Sequence, residues 1–161
     1  MSVKTGLNPI IDEKTEVLIL GSLPSDISLE KKEYYANPTN DFWKVMAKVV
    51  DKDLGGIRYK EKINILLQNK IGLWDVFHAG ERGGSMDHNF KEKAPNDFIE
   101  LTKKYPNLRL FLVAGKEAYN AFNELELSVK YSYIPSTSAA NRKISIEEKA
   151  NMIKKLIENR N

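Results

Sequence analysis

Four short apolar runs divide this chain, and each is followed by glycine or polar residues and then by a segment with helical spacing. The first is Glu16-Val17-Leu18-Ile19-Leu20, ending at Gly21. The second is Ile71-Gly72-Leu73-Trp74-Asp75-Val76-Phe77, the third runs from Leu108 to Val113, and the fourth from Val129 to Ile134. Runs this short, without polar alternation, predict strands buried on both faces. Between them, Phe42, Met46 and Val49 recur at helical spacing, as do Tyr59, Ile63 and Leu66, then Phe98, Leu101 and Tyr105, then Ala118, Phe122 and Leu125. A last helix carries Ile146, Ala150, Ile153 and Ile157 on one face and opens with Ser145 and Glu148, the spacing of a capping box. Alternating strands and helices predict an α/β fold: a three-layer α/β/α sandwich around a central four-stranded, mostly parallel sheet. A length of 161 residues suits one domain spanning 1–161. The stretch from His78 to Pro95, with Gly80, Gly83 and Gly84, reads as a long loop in which Arg82 and Asp87 could pair.

In such a sheet, ligands collect beyond the C-terminal ends of the strands. Here those loops begin near Gly21, His78, Ala114 and Pro135. Composition narrows the chemistry. The chain has no Cys, which removes disulfides, thiol nucleophiles and thiolate metal sites, and His78 and His88 are its only histidines. No metal site and no cofactor are expected. A net charge of +3 tilts only slightly toward an anionic partner. The N-terminus has no long apolar run, so neither a signal peptide nor a membrane span is expected, and a cytoplasmic location is the default.

Two segments carry the functional signal. Tyr34-Tyr35-Ala36-Asn37-Pro38-Thr39-Asn40-Asp41-Phe42-Trp43 sets aromatics and carboxamides before a helix. Pro38 pushes Asn37 out of helical geometry, and Asn40 can cap the helix that follows. The same amide has a functional reading: its carbonyl could orient a water, or its NH2 could donate to a base or sugar. Tyr34 and Tyr35 read either as core residues or as a stacking platform for a base. In Ile134-Pro135-Ser136-Thr137-Ser138-Ala139-Ala140-Asn141-Arg142, small hydroxyl residues allow close backbone approach and could hold a phosphate at a strand-to-helix turn. The plain alternative is a solvated turn, with Arg142 an ordinary surface cation. Asp75, inside an apolar strand pattern, is costly to bury unless it is partnered. The loop Gly21-Ser22-Leu23-Pro24-Ser25 is neither a phosphate-binding loop ending in Gly-Lys-Ser/Thr nor a nucleophile elbow.

Taken in order, Gly21 to Pro24, Tyr34 to Trp43, Gly72 to Val76, Arg82 to Ser85, Gly115 to Tyr119 and Pro135 to Ser138 resemble the uracil-DNA glycosylase superfamily, and most of all its hypoxanthine-DNA glycosylase branch. The resemblance runs from about Glu16 to the C-terminal helix. It implies an enzyme that flips a deaminated base out of DNA and hydrolyses its N-glycosidic bond without metal or cofactor, with hypoxanthine the leading substrate and uracil and xanthine the others. It implies catalytic roles for Asn40 and Asp75. It puts Ser22, Leu23, Tyr35 and Trp74 around the base, and Ser136, Thr137, Ser138 and Arg142 on the DNA. Leu23 stands where the mismatch-specific branch has a water-positioning asparagine, which moves that task to Asn40. Ala114 stands where a polar residue is expected. These two departures motivate a rival reading, a non-catalytic DNA-binding or protein-interaction module on the same fold. A small-molecule α/β enzyme is a weaker third. Damaged DNA is the expected partner and a monomer the expected state. The site proposal requires Tyr35, Asn40, Asp75 and Ser136 to converge on one pocket.

Overall fold

A computed structural model describes residues 3–82 and 90–161, with side chains from Gly6 to His78 and from Ala94 onward. Its centre is a four-stranded sheet in the order β3-β2-β6-β7, formed by β2 (Val17–Gly21), β3 (Ile71–Asp75), β6 (Leu110–Ala114) and β7 (Lys130–Ile134). Every pairing is parallel, so the expected mostly parallel sheet is parallel throughout.

The residue alternation along the strands explains the three layers. Val17, Ile19, Ile71, Leu73, Leu110 and Leu112 face one side. There they pack on α2 (Phe42–Val49), α3 (Tyr59–Gln68) and α6 (Ile146–Glu158) through Phe42, Met46, Ile63, Leu66 and Ile153. Leu18, Leu20, Phe111 and Val113 face the other side, against α4 (Phe98–Lys104) and α5 (Lys116–Glu124) through Phe98, Leu101 and Phe122. Phe98, Phe111 and Phe122 meet edge-on or tilted with centroids 5.1–5.8 Å apart, the separations that aromatic quadrupoles favour. Half of the capping box is formed: the Ser145 hydroxyl accepts from the Glu148 N–H at 3.1 Å, and the Glu148 carboxylate accepts from that hydroxyl at 3.2 Å in place of the backbone N–H.

Two expectations need correction. The stretch His78–Pro95 is not simply a long loop. β4 (Phe77–Arg82) and β5 (Phe90–Pro95) pair antiparallel, and β1 (Val3–Thr5) joins β4 to complete a second, three-stranded sheet. Charged residues such as Lys4, Glu81, Arg82, Lys91, Glu92 and Lys93 interrupt these strands, so they carry no apolar run; the backbone ladder defines them. The Arg82-to-Ser85 match begins at the end of β4 and runs into the segment 83–89, so Gly83 to Ser85 and Asp87 lie outside the described residues. The predicted strand Ile71–Phe77 also divides at Val76, whose N–H donates to the Gly21 carbonyl at 2.7 Å, while Phe77 N–H reaches Ser22 O at 3.1 Å. A short helix unmarked by periodicity, α1 (Asp26–Lys31), follows β2 and is capped by Ser25. Among the described residues, no helix is long and apolar enough to cross a membrane.

Candidate active site

The C-terminal ends of β2, β3, β6 and β7 carry Gly21, Asp75, Ala114 and Ile134. A cavity of about 420 Å³ opens beside the first three and is walled by the loop that follows the fourth. It brings together Tyr35, Asn40, Asp75 and Ser136, as well as Ser22, Leu23, Thr137 and Ser138. Trp74 and Arg142 are not among its lining residues. Trp74 follows strand alternation away from Asp75; its indole N–H donates to Leu7 O at 3.2 Å and its ring meets Phe98 edge-on.

Asp75 is 5% exposed. Its approach to the β2 exit depends on glycine: a Cβ at position 21 would stand 2.9 Å from Asp75 Oδ1 and 3.5 Å from the Tyr35 hydroxyl. The carboxylate and the phenol thus share the space that Gly21 leaves open. Asn96 holds the Asp75 main chain, donating to its carbonyl at 2.7 Å.

Tyr34 and Tyr35 have different jobs. Tyr34 is core: its hydroxyl donates to Asn8 O at 2.8 Å, its N–H donates to the Tyr59 hydroxyl, and its carbonyl accepts from Trp43 Nε1. Tyr35 next to it has φ of +56°, a left-handed backbone that costs a bulky residue roughly 1–2 kcal/mol. That turn sends its ring to the cavity, stacked on Phe42 with centroids 3.7 Å apart and planes 10° apart. A flat ligand can therefore reach only the opposite face. Burial, reinforced by the Asp75 charge, pushes the Tyr35 phenol far above its usual range, so it stays protonated.

The N-cap of α2 is Asp41, whose side chain makes no cap bond, so Asn40 sits one residue before the expected cap position; its side chain still accepts from the Phe42 N–H at 2.9 Å. Its Oδ1 also accepts from the Thr137 hydroxyl at 2.7 Å, across a sequence separation of 97 residues. The Thr137 carbonyl takes the Asp41 N–H at 3.0 Å, so the two functional segments are joined by two bonds through one threonine. Thr137 is only 6% exposed, and its side chain turns inward to Asn40. The Ser136 and Ser138 hydroxyls accept from the N–H groups of Ser138 and Ala140, which shapes the loop into a tight turn. This loop does not run directly into a helix; Ser145 caps α6 only seven residues later. The helix that starts at the cavity is α5, whose Gly115 cap has φ of +87°. Arg142 reaches back over the same junction. Its guanidinium donates to both Asp41 oxygens and to Thr39 O, at 2.9–3.3 Å. Lys149, fully buried, donates to Asn141 O at 2.6 Å, and burial lowers its pKa while Asp41 partly restores it.

Sequence reasoning assigned no role to Gly21, Ser25, Ser28, Asn37, Lys116 or Glu117, all of which line the cavity. Gly115 to Tyr119 is one of the matched motifs, but nothing in its composition points its Lys-Glu pair at a ligand.

Comparison with known proteins agrees with this architecture. The model of the family described as the uracil DNA glycosylase superfamily matches residues 9–158. A protein of Methanosarcina barkeri named hypoxanthine DNA glycosylase is 43% identical over 142 residues, 87% of this chain and 89% of that protein. A protein of the same name from Methanosarcina acetivorans is 43% identical over 145 residues, 89% of this chain and 91% of its own. A solution NMR structure from Methanosarcina acetivorans, provisionally described as a uracil DNA glycosylase, superimposes with a TM-score of 0.84 at 39% identity, covering 97% of this chain and 99% of that one. The order of strands, the loops that wall the cavity and this extent of likeness have one reading: the chain belongs to the uracil DNA glycosylase superfamily.

Proposed function

We propose that this protein is a monofunctional DNA glycosylase that takes a deaminated base, hypoxanthine first, out of DNA and hydrolyses its N-glycosidic bond to leave an abasic site. The carrying observation is the single cavity that joins an aromatic face (Tyr35), a carboxamide (Asn40), a buried carboxylate (Asp75) and a hydroxyl-rich loop (Ser136 to Ser138). Its volume of about 420 Å³ lies within the range of small-ligand sites. Ala114 is smaller than the polar residue expected at its position and leaves room in the cavity, while Leu23 gives the wall beside it an apolar surface.

The reaction needs few parts. The C1′–N9 bond breaks with its electron pair moving to the base, and the sugar becomes oxocarbenium-like. A water oxygen then bonds to C1′ and loses a proton. A carboxylate in a secluded site stabilises the cationic sugar and accepts that proton. Asp75 is suited to this role, Asn40 to contact with the reacting groups, and Tyr35 to stacking on the flipped base. Ser22 and Leu23 complete the base pocket. Ser136 and Ser138, which line the cavity, meet the DNA backbone, whereas Arg142 is engaged with Asp41 and Thr39. A single domain that acts on one flipped nucleotide needs no second copy, so we propose a monomer.

An abasic-site cleavage assay on duplexes containing inosine, uracil or xanthine tests this reading. Release of hypoxanthine is expected, and Asn40→Ala should slow it by about 10²-fold or more. Failure of the wild type to release any of the three bases would reject the enzyme. The rival, a binding module without catalysis, is motivated by Leu23 and Ala114; it requires salt-sensitive binding to damaged DNA with no base release.

A further inference from the structure

The Asn40 amide has a fixed orientation, and that orientation decides what it can do. A backbone N–H only donates, so the atom 2.9 Å from the Phe42 nitrogen has to be the amide oxygen. The same oxygen accepts from the Thr137 hydroxyl at 2.7 Å. A carboxamide oxygen has two lone pairs, and both are engaged. The amide nitrogen, with two donors, is the part of the group left to face a ligand; among the described residues, no hydrogen bond from it is formed. Asn40 lines the cavity together with Asp75 and Tyr35.

We infer that Asn40 enters the catalytic cavity as a hydrogen-bond donor, that Thr137 is the positioning residue that holds it so, and that Asp75 alone accepts from the attacking water. The inference rests on the glycosylase reading and deepens it. Of the two uses that the sequence leaves open for the Asn40 amide, it selects the NH2 donor over the water-orienting carbonyl. As the C1′–N9 bond breaks, its electron pair moves into the purine, whose ring nitrogens and carbonyl oxygen gain negative charge. An amide N–H aimed at one of these atoms strengthens its bond as that charge grows, so it favours the transition state over the bound substrate. The water proton goes to the Asp75 carboxylate and from there to the departing base, which leaves neutral. Thr137 acts from a distance: it comes from the loop after β7, and without its hydroxyl the amide is held by the Phe42 N–H alone.

The test is single-turnover release of hypoxanthine from an inosine duplex, with enzyme in excess, for wild type, Asn40→Asp, Asn40→Ala, Thr137→Val and Thr137→Ser. An aspartate at position 40 keeps the acceptor for Phe42 and Thr137 but turns the cavity-facing group from donor to acceptor. The inference expects Asn40→Asp to lose about 10²-fold or more, as Asn40→Ala does. A rate for Asn40→Asp within about threefold of wild type, beside a slow Asn40→Ala, would overturn it, because an acceptor would then suffice. Thr137→Val should lose roughly tenfold in the chemical step, with DNA affinity unchanged, and Thr137→Ser should recover most of that loss. Thr137→Val at the wild-type rate would overturn the positioning role, and this pair stands even if Asn40→Asp does not fold. A wild-type rate for Asn40→Ala would instead reject the catalytic assignment of Asn40 on which the inference rests.

Discussion

Gly21 shows how one missing side chain shapes the chemistry. The residue ends β2, pairs with Asp75 in the sheet register, and leaves the gap into which Asp75 Oδ1 and the Tyr35 hydroxyl project. An alanine methyl there would lie 2.9 Å from the carboxylate oxygen, closer than carbon atoms tolerate, so the carboxylate has to turn. We expect Gly21→Ala to lower the single-turnover rate by about tenfold or more, since misplacing a reacting group by an ångström is costly. Its melting temperature should fall only a few degrees, because the clash is with a side chain and not with backbone. Comparing melting curve with rate checks this, and a wild-type rate would show that the carboxylate has room to spare. The sequence made Tyr35, Asn40 and Asp75 visible as oddities: an aromatic pair, an amide after a proline, a carboxylate inside an apolar run. It did not reveal that Gly21 serves them, nor that Tyr35 has a left-handed backbone, because φ at a tyrosine leaves no mark on composition.

Elements buried on both faces were readable in advance, because burial on both faces leaves an unbroken apolar run; β2 and β6 are such strands. β1, β4 and β5 were not, since their pairing is a backbone ladder without an apolar signature. The segment between β7 and α6 falls between these cases. Its hydroxyls were readable, but its role as a strap was not, because the partners Asn40 and Asp41 lie about a hundred residues away. This strap has a specific consequence for Arg142. If the guanidinium served mainly to grip a phosphate, Arg142→Gln would reduce the slope of log affinity against log salt by about one. Engaged as it is with Asp41 and Thr39, it should instead leave the slope nearly unchanged while destabilising the fold by about 1 kcal/mol, a modest figure because its side chain is 56% exposed. DNA titrations at several salt concentrations, beside denaturant curves, separate these outcomes. At the other end of the strap, Ser145→Ala should cost about 1 kcal/mol through loss of the helix cap, with the rate of base release unchanged.

At the scale of the whole molecule, stability and chemistry occupy opposite ends of the sheet. The cavity lies at the C-terminal ends of the strands, whereas Glu16, just before β2, gathers the basic residues of the other end. Its carboxylate pairs with Arg160 at 2.7 Å, Lys70 at 3.3 Å and Arg109 at 4.0 Å, so it ties the start of β2 to the turn before β3, the entry to β6 and the C-terminal segment. The hydrogen bond from Arg160, aided by Lys70, holds the Glu16 carboxyl below its ordinary value of 4.5 against the opposing effect of burial. A carboxyl depressed in the folded state stabilises at pH values above its unfolded pKa, and that contribution is lost as pH falls through the folded one. Acidification below about pH 4.5 should therefore erode the wild type more steeply than Glu16→Gln, which lacks the titrating group. At neutral pH the variant should already be less stable by about 1 kcal/mol, or a few degrees in melting temperature for a chain of this size. Because the cluster is remote from Asp75 and Asn40, base release per folded molecule at 25 °C should match the wild type. Melting curves from pH 3 to 8 for both proteins measure the first effect and single-turnover rates the second; parallel pH profiles would mean that the cluster is not the acid-sensitive tie, and a slowed variant would mean that the two ends of the sheet are coupled.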